Sequence, residues 1–173
     1  MSSQFVEISF KIKYIICMRI RNAQEKDTEK LIDLLQQVLE LHAKIRPDIF
    51  IPGTTKYTSE ELKMLIRDES KPIYVAVDDT DTVMGYAFCQ IKQQPFSNNM
   101  IQFKSLFIDD LCVNAACRGQ HIGEQLFEHV KSEAKKLGCY EVTLNVWAGN
   151  TGAEHFYEKM GMKTKERMME IIL

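Results

Sequence analysis

The sequence is poor in the features that mark nucleic-acid-binding and membrane-spanning proteins. Its 22 lysines and arginines are outnumbered by 24 aspartates and glutamates, which gives a net charge of −2. Such a chain lacks the basic face that general nucleic-acid binding or attraction to an anionic membrane surface requires. No apolar run approaches the roughly 20 residues that span a bilayer. We therefore expect neither a nucleic acid nor a membrane as a partner.

Cysteine usage argues against a disulfide-bonded or zinc-binding protein. The five cysteines are an odd number and include no C-x-x-C pair. This pattern fits reduced, mostly buried thiols in a cytoplasmic protein. No group of histidines and cysteines has the spacing of zinc ligands, so we expect no metal. The chain has no internal repeats, and its 173 residues are suited to one domain with one well-buried core.

The N-terminal residues differ from the rest of the chain. Met18 and the alternating residues after it resemble a natural chain start followed by a first strand, so residues 1–17 are predicted to be an extension of a single domain, 18–173. The apolar part of the extension, 14–17, is too short for a signal-peptide core, and acidic Glu7 lies in the head region. Partial alternation of apolar residues raises the hypothesis that the extension adds an edge strand and favours a homodimer.

Hydrophobic periodicity predicts an α/β fold with a mixed, mostly antiparallel central sheet and helices on both faces. One strand–helix–strand crossover in the second half gives a local parallel pair. We expect an irregularity near Asp109 and Asp110 in the long central strand. The predicted elements are strand 19–22, helices 25–43 and 59–68, strands 72–77, 83–92 and 101–113, helix 124–137, strand 140–147, helix 150–160 and strand 162–173.

The most informative segment joins the central strand to the longest helix of the second half. After Val113 the chain enters a polar turn that contains Gly119 and Gly123, and a long amphipathic helix follows. A helix N-terminus carries unpaired N–H groups and a positive partial charge, and glycines let the backbone close on a phosphate. The glycines alone favour an ordinary strand-to-helix turn. Neither a G-x-G-x-x-G fingerprint nor a phosphate-loop Gly-Lys-Ser/Thr is present.

Two motifs together resemble the GNAT superfamily of acyl-CoA N-acyltransferases. The family pattern at the start of its central helix is Arg/Gln-x-x-Gly-x-Gly/Ala; Arg118 and Gly123 match it, whereas His121 stands at the first glycine. The second motif, Asn-x-x-Ala-x-x-Phe/Leu-Tyr-Glu-x-x-Gly-Phe, resembles the segment from Asn150 to Met162. The resemblance covers nearly the whole chain and is nearest to the ribosomal-protein alanine N-acetyltransferase branch. It implies a V-shaped splay between the two central strands.

The resemblance implies acetyl-CoA as co-substrate and supplies its binding residues. Backbone N–H groups at the start of the helix would bind the pyrophosphate, and the exposed backbone of the central strand would bind the pantetheine arm. Plain sheet pairing is the alternative for the strand, and a pure helix-capping role is the alternative for Asn150. The implied binding residues are Leu111, Cys112, Val113, Arg118, Gly119, Gln120, His121, Ile122, Gly123, Glu124 and Asn150.

The catalytic groups are less completely specified. By resemblance, the Tyr157 phenol protonates the departing thiolate of coenzyme A; the alternative is an aromatic core residue. The ribosomal branch has a glutamate where this chain has Asn145, which cannot accept a proton. Asp110 is the predicted base, since a carboxyl group buried in an apolar strand has a raised pKa. A solvated bulge carboxylate, or one that orients the acceptor amine, is the alternative.

These observations predict an N-acetyltransferase. An acetyl group would move from acetyl-CoA to a primary amine of a small molecule, peptide or protein by direct attack in a ternary complex. The acceptor face is expected to be built by residues 39–57 and the loop 93–99. The alternative hypothesis is a non-catalytic acyl-CoA-binding sensor or interaction module on the same fold.

Overall fold

A computed structural model describes residues 18–173 of the chain, so the predicted extension 1–17 lies outside the described residues. The fold alternates strands and helices around one five-stranded sheet. The strands are β1 (Arg19–Asn22), β2 (Ile73–Val77), β3 (Val83–Gln93), β4 (Lys104–Val113) and β5 (Glu141–Leu144). The helices are α1 (Thr28–Ile45), α2 (Ser59–Ile66), α3 (Ile122–Lys136) and α4 (Thr151–Lys159).

The sheet has the order β1-β2-β3-β4-β5 and confirms the predicted mixed topology. The first four strands pair antiparallel, and β5 pairs parallel to β4 after the α3 crossover. The register between β3 and β4 shifts so that Phe88 lies opposite Asp110 and Cys89 opposite Ile108. Asp109 is the extra residue of this β-bulge, at the irregularity that the sequence predicts.

Each face of the sheet carries its own apolar cluster. On one face, α1 and α2 place Leu31, Leu34 and Leu62 against a surface that includes Tyr86 and Phe88. On the other face, α3 and α4 cover the sheet with a second cluster. Its fully or nearly fully buried members from α3 are Ile122, Leu126, Phe127, Val130 and Ala134. The α3 residues recur at three- and four-residue intervals, as expected for a helix buried along one stripe.

The segment after α4 corrects the sequence-based expectation. Residues 162–173 were expected to form a final strand, but this segment is without regular secondary structure. It is held instead by ion pairs, from Arg46 to Glu170 and from Lys165 to Glu141, both at the surface. A strand needs a partner edge along its length, and β5 offers only four residues. Within residues 18–173, no helix is long and apolar enough to cross a membrane.

Candidate active site

The opening between β4 and β5 is the central feature of the site. The two strands pair over four residues each, from Ser105 with Glu141 to Ile108 with Leu144. Beyond Ile108, β4 continues to Val113, whereas β5 ends and the chain turns towards α4. Among the described residues, therefore, no strand pairs with the β5-facing edge of the last part of β4. Backbone groups along that edge are left available to bind a ligand.

Leu111, Cys112 and Val113 lie on this open stretch. All three pair with β3 on their other side, with Ala87, Tyr86 and Gly85 respectively. Gly85 is needed at its position because a Cβ atom there would lie only 2.7 Å from the carbonyl oxygen of Cys112. The absence of a side chain at Gly85 therefore lets the backbones of β3 and β4 approach closely at this point.

The turn after β4 delivers the chain to the N-terminus of α3. Gly119 has φ +76° and His121 has φ 59°, both in the left-handed region. The N–H of Gln125 donates to the carbonyl oxygen of His121 at 3.1 Å. This is the first turn of the helix, so the preceding N–H groups of Ile122, Gly123 and Glu124 have no acceptor within α3. The geometry suits an anion, as a pyrophosphate requires.

The side chains around this N-terminus offset one another's charge. The Glu124 carboxylate accepts from Lys159 Nζ at 2.6 Å and lies 3.1 Å from His121 Nδ1. These two contacts hold the pKa of Glu124 below its ordinary value. Arg118 and Gln120 are exposed beside it. A Cβ atom on Gly123 would lie 3.4 Å from the Phe156 ring, which an alanine tolerates and a larger side chain does not.

Asn150 caps α4, as one of its two sequence-based interpretations predicted. Its side-chain oxygen accepts from the backbone N–H of Ala153 at 3.3 Å. The cap fixes the start of the helix that carries Tyr157. The Tyr157 ring packs 5.1 Å from the Phe156 ring and 6.0 Å from the Phe127 ring, measured between centroids.

Asp110 lies on β4 next to the bulge and is partly buried. Its Oδ2 accepts from the hydroxyl of Tyr86 at 3.0 Å. Burial raises the pKa of Asp110 to about 6, while Lys56, the Tyr86 hydroxyl and the backbone of Leu111 oppose that rise. The carboxyl group thus titrates close to neutral pH, as a general base requires.

Tyr157 and Asp110 influence each other electrostatically. Burial raises the pKa of Tyr157 well above its ordinary value, and the negative charge of Asp110 raises it further. The phenol therefore holds its proton at neutral pH. When Asp110 is protonated, one cause of the raised pKa is removed and Tyr157 becomes a stronger acid.

Four further side chains around the bulge were not singled out as site residues by the sequence. Lys56 Nζ lies 2.7 Å from Asp109 Oδ2. His42 stacks against Phe50, whose ring meets Trp147 edge-on. Burial and the charge of Lys56 lower the pKa of His42. In the sequence, His42 only continues the apolar stripe of α1, and nothing in the local pattern distinguishes it from a core residue.

One of the two predicted acceptor segments adjoins the bulge. The segment 39–57 supplies His42, Phe50 and Lys56. The loop 93–99 instead begins at Gln93, which pairs with Lys104 at the far end of the β3–β4 hairpin. That end lies six residues, or roughly 20 Å, along β4 from Asp110. A cavity of about 300 Å³ opens beside the bulge instead; it is lined by Tyr57, Leu65, Lys71, Ile73, Phe88, Cys89, Gln90 and Asp109.

Comparison with known proteins places this architecture in a family. A model of the acetyltransferase (GNAT) family matches residues 35–162. Peptidyl-lysine N-acetyltransferase YjaB of Salmonella typhimurium is 29% identical over 150 residues, 87% of this chain and 86% of that protein. Glucosamine 6-phosphate N-acetyltransferase of Arabidopsis thaliana is 35% identical over 66 residues, 38% of this chain and 42% of that protein.

A solved structure agrees over almost the whole described chain. The crystal structure of a mutant of the BH1408 protein from Bacillus halodurans has a TM-score of 0.85 and 32% identity, covering 90% of this chain and 99% of that one. The narrower resemblance to ribosomal-protein alanine N-acetyltransferases stays a prediction. The family match covers both sequence motifs, and it favours an enzyme over a binding module. The chain belongs to the acetyltransferase (GNAT) family and is an N-acetyltransferase enzyme.

Proposed function

We propose that this enzyme transfers an acetyl group from acetyl-CoA to a primary amine of a small molecule, peptide or protein. The observation that carries the proposal is the open edge of β4, which runs from the bulge at Asp109 to the N-terminus of α3. A phosphate group at that N-terminus and an arm along the open edge would bring a thioester to the bulge. The bulge is also where Asp110 lies.

The binding residues follow from this path. N–H groups of the turn and the first turn of α3, from Gly119 to Glu124, would hold the pyrophosphate, with Arg118 beside them. The backbone of Leu111, Cys112 and Val113 would hydrogen-bond the arm. Asn150 orients α4 and lies where the same arm passes. Acetyl-CoA supplies the activated acyl group, and the chain supplies binding, orientation and proton transfer.

The amine must lose a proton before it attacks, because an ammonium ion is not nucleophilic. Asp110 accepts that proton, directly or through a water molecule, and a β4 backbone N–H stabilises the negative charge that develops on the carbonyl oxygen. Tyr157 donates its proton to the departing sulfur. This order of proton transfers, first to Asp110 and then from Tyr157, suits the electrostatics of the site. Once Asp110 is protonated, Tyr157 is a stronger acid, and the departing sulfur then needs a proton.

The two relatives are named for different acceptors: a peptidyl lysine for one and glucosamine 6-phosphate for the other. The bulge here combines carboxylates with the aromatic rings of Phe50 and Trp147. These groups suit an amine joined to a flat or apolar portion. A peptidyl lysine is one such acceptor, because its ammonium group ends a long apolar stem.

The experiment is calorimetric binding of acetyl-CoA followed by measurement of free thiol release with a panel of lysine peptides and amino sugars. We expect binding in the wild type and in Gly123→Ala, loss of binding in Gly123→Trp, and thiol release with at least one amine class. Binding without thiol release from any amine would support the non-catalytic module instead. Absence of binding would refute the proposal.

A further inference from the structure

Lys56 is a primary amine that the chain itself places at the bulge. It lies in the long connection between α1 and α2, and its Nζ lies 2.7 Å from Asp109 Oδ2. Its side chain is 42% exposed and lies against the Tyr57 ring, with Nζ 5.5 Å from the ring centroid. An exposed ion pair of this kind contributes little to stability. The fold therefore gives little reason for a lysine at this position.

The Lys56 ammonium group also interacts electrostatically with Asp110, the proposed base. The charge of Lys56 lowers the pKa of Asp110, the proposed base, and the charge of Asp110 in turn favours the ammonium form of Lys56. The same charge lowers the pKa of His42 on α1. The contact of Lys56 with Asp109, which precedes Asp110 in the bulge, places this amine beside the proposed base.

We propose that Lys56 is itself an acetyl acceptor, so that the enzyme acetylates its own acceptor site. The inference rests on the proposed function, because it uses the same base, acid and co-substrate. It goes beyond that function by assigning a modification site on this chain.

The step balances as an ordinary acyl transfer. Asp110 takes one proton from the Lys56 ammonium, and the Nζ lone pair forms a bond to the thioester carbonyl carbon. The carbon–sulfur bond breaks, sulfur leaves with the electron pair, and Tyr157 supplies its proton. The new amide nitrogen releases its second proton, so one proton is released overall for each Nε-acetyl-lysine and coenzyme A thiol formed.

Proximity makes Lys56 the favoured lysine of the chain. A group held next to the reaction centre behaves as if present at a very high effective concentration. Other lysines are held elsewhere: Lys104 donates to the carbonyl oxygen of Leu137, and Lys131 pairs with Glu128 on the outer face of α3. We therefore expect one site of acetylation and a rate constant that does not depend on protein concentration.

Acetylation would also change the site that performs it. It removes the positive charge, frees Asp109 and takes away the cation that holds down the pKa of Asp110. Apart from Lys56, the titratable groups that interact with Asp110 are Asp109, Tyr86, Cys112 and Tyr157, none of them a cation. The pKa of Asp110 should rise above about 6, and a smaller fraction of the base would be ionised at neutral pH.

The test is incubation of the full chain with acetyl-CoA at several protein concentrations, followed by intact mass and peptide mapping. We expect one added acetyl group, at Lys56, formed with first-order kinetics. Lys56→Arg keeps the positive charge but should gain no acetyl group, while Lys44→Arg, at an exposed position on α1, should be acetylated like the wild type. An independent readout is the NMR titration of the Asp110 carboxyl carbon, whose pKa should be higher in Lys56→Gln than in the wild type.

The outcomes separate this inference from the proposed function. Loss of acetyl-CoA binding, or no thiol release with any added amine and no self-acetylation, contradicts the function itself. Normal turnover of an added amine with Lys56 unmodified overturns only the self-acetylation. Acetylation of Lys56 at an equal rate in Gly123→Trp would also overturn the self-acetylation. It would mean that Lys56 reacts spontaneously with dissolved acetyl-CoA.

Discussion

Asp110 is the residue at which stability and activity oppose each other. Its pKa in the fold, about 6, lies above the value of about 3.9 expected in an unfolded chain. The folded state therefore favours the protonated form, and the stabilisation that protonation gives is complete below pH about 4 and lost as the pH rises through 6. At neutral pH the fold holds a carboxylate that water would solvate better.

Replacing this carboxylate tests the trade-off. We expect Asp110→Asn to raise the free energy of unfolding by about 1–3 kcal/mol at pH 7.5 and to change it little at pH 4, because only the ionised form is costly. The amide keeps an oxygen to accept from the Tyr86 hydroxyl. Urea denaturation at the two pH values measures the effect. Asp109→Asn, at a 41% exposed side chain, should shift stability by less than about 1 kcal/mol at either pH.

The same carboxylate sets the expected pH dependence of the reaction. A base must be ionised to accept a proton, so kcat/KM for an amine should fall as the pH drops below about 6. In Asp110→Asn this limb should disappear along with most of the activity. An unchanged acidic limb in the variant would assign the base to another group, and His42 is the nearest alternative because its lowered pKa keeps it neutral.

The role of Tyr157 as general acid can be tested by a substitution that removes only its hydroxyl group. Tyr157→Phe keeps the ring against Phe127 and Phe156 but loses the phenol. We expect kcat to fall by roughly 10²-fold, the lower range for a lost general acid, with acetyl-CoA affinity unchanged. Calorimetry and steady-state kinetics separate the two effects. Phe156→Leu, which thins the same cluster but leaves the phenol, is the control; an equal loss there would point to packing.

At the scale of elements, the spacing of apolar residues predicted most of the fold, because most helices and strands have a clear hydrophobic periodicity within their own sequence. The amphipathic stripes of α1 and α3 and the bulge at Asp109 are examples. The strand expected over 162–173 was wrong because a strand depends on a partner edge, which the segment's own residues do not encode. For the same reason, the contact of Lys56 with Asp109, 53 positions apart, could not be inferred from either segment.

The N-terminus of α3 departs from the family pattern at His121. A residue with a Cβ atom costs roughly 1–2 kcal/mol in the left-handed region, whereas glycine adopts it freely. His121 has φ 59° and a ring that is largely exposed. The backbone at His121 is therefore in a conformation that glycine would adopt without this cost.

Two variants at this position separate backbone strain from the ring. We expect His121→Gly to match the wild type in stability or exceed it by up to about 1 kcal/mol, and to keep acetyl-CoA affinity within about threefold, because anion binding here uses main-chain N–H groups. His121→Ala removes the same ring but retains the strain, so it should be the less stable of the two. Thermal denaturation and calorimetry measure both. A large loss of affinity in both variants would instead assign a direct contact to the imidazole ring.

At the scale of the whole molecule, β5 and α4 are joined to the rest of the fold by few contacts. The pairing of β5 with β4 extends over four residues, and α4 has no fully buried side chain. Phe156 and Tyr157 connect α4 to Phe127 of α3. A ligand lying between β4 and α4 would contact both sides of the opening, so its binding should stabilise this unit more than the antiparallel part of the sheet.

Binding of acetyl-CoA should therefore be visible in the stability of the whole chain and in local exchange. At a free concentration 100 times Kd, a ligand specific for the folded state stabilises by about 2.7 kcal/mol. For a chain of this size that corresponds to a rise in Tm of roughly 5–11 °C. Hydrogen exchange should slow most in residues 141–160. Gly123→Ala should show the same shift, and Gly123→Trp none; an equal shift in Gly123→Trp would mean that the ligand binds away from α3, because the indole would fill the space between Gly123 and Phe156.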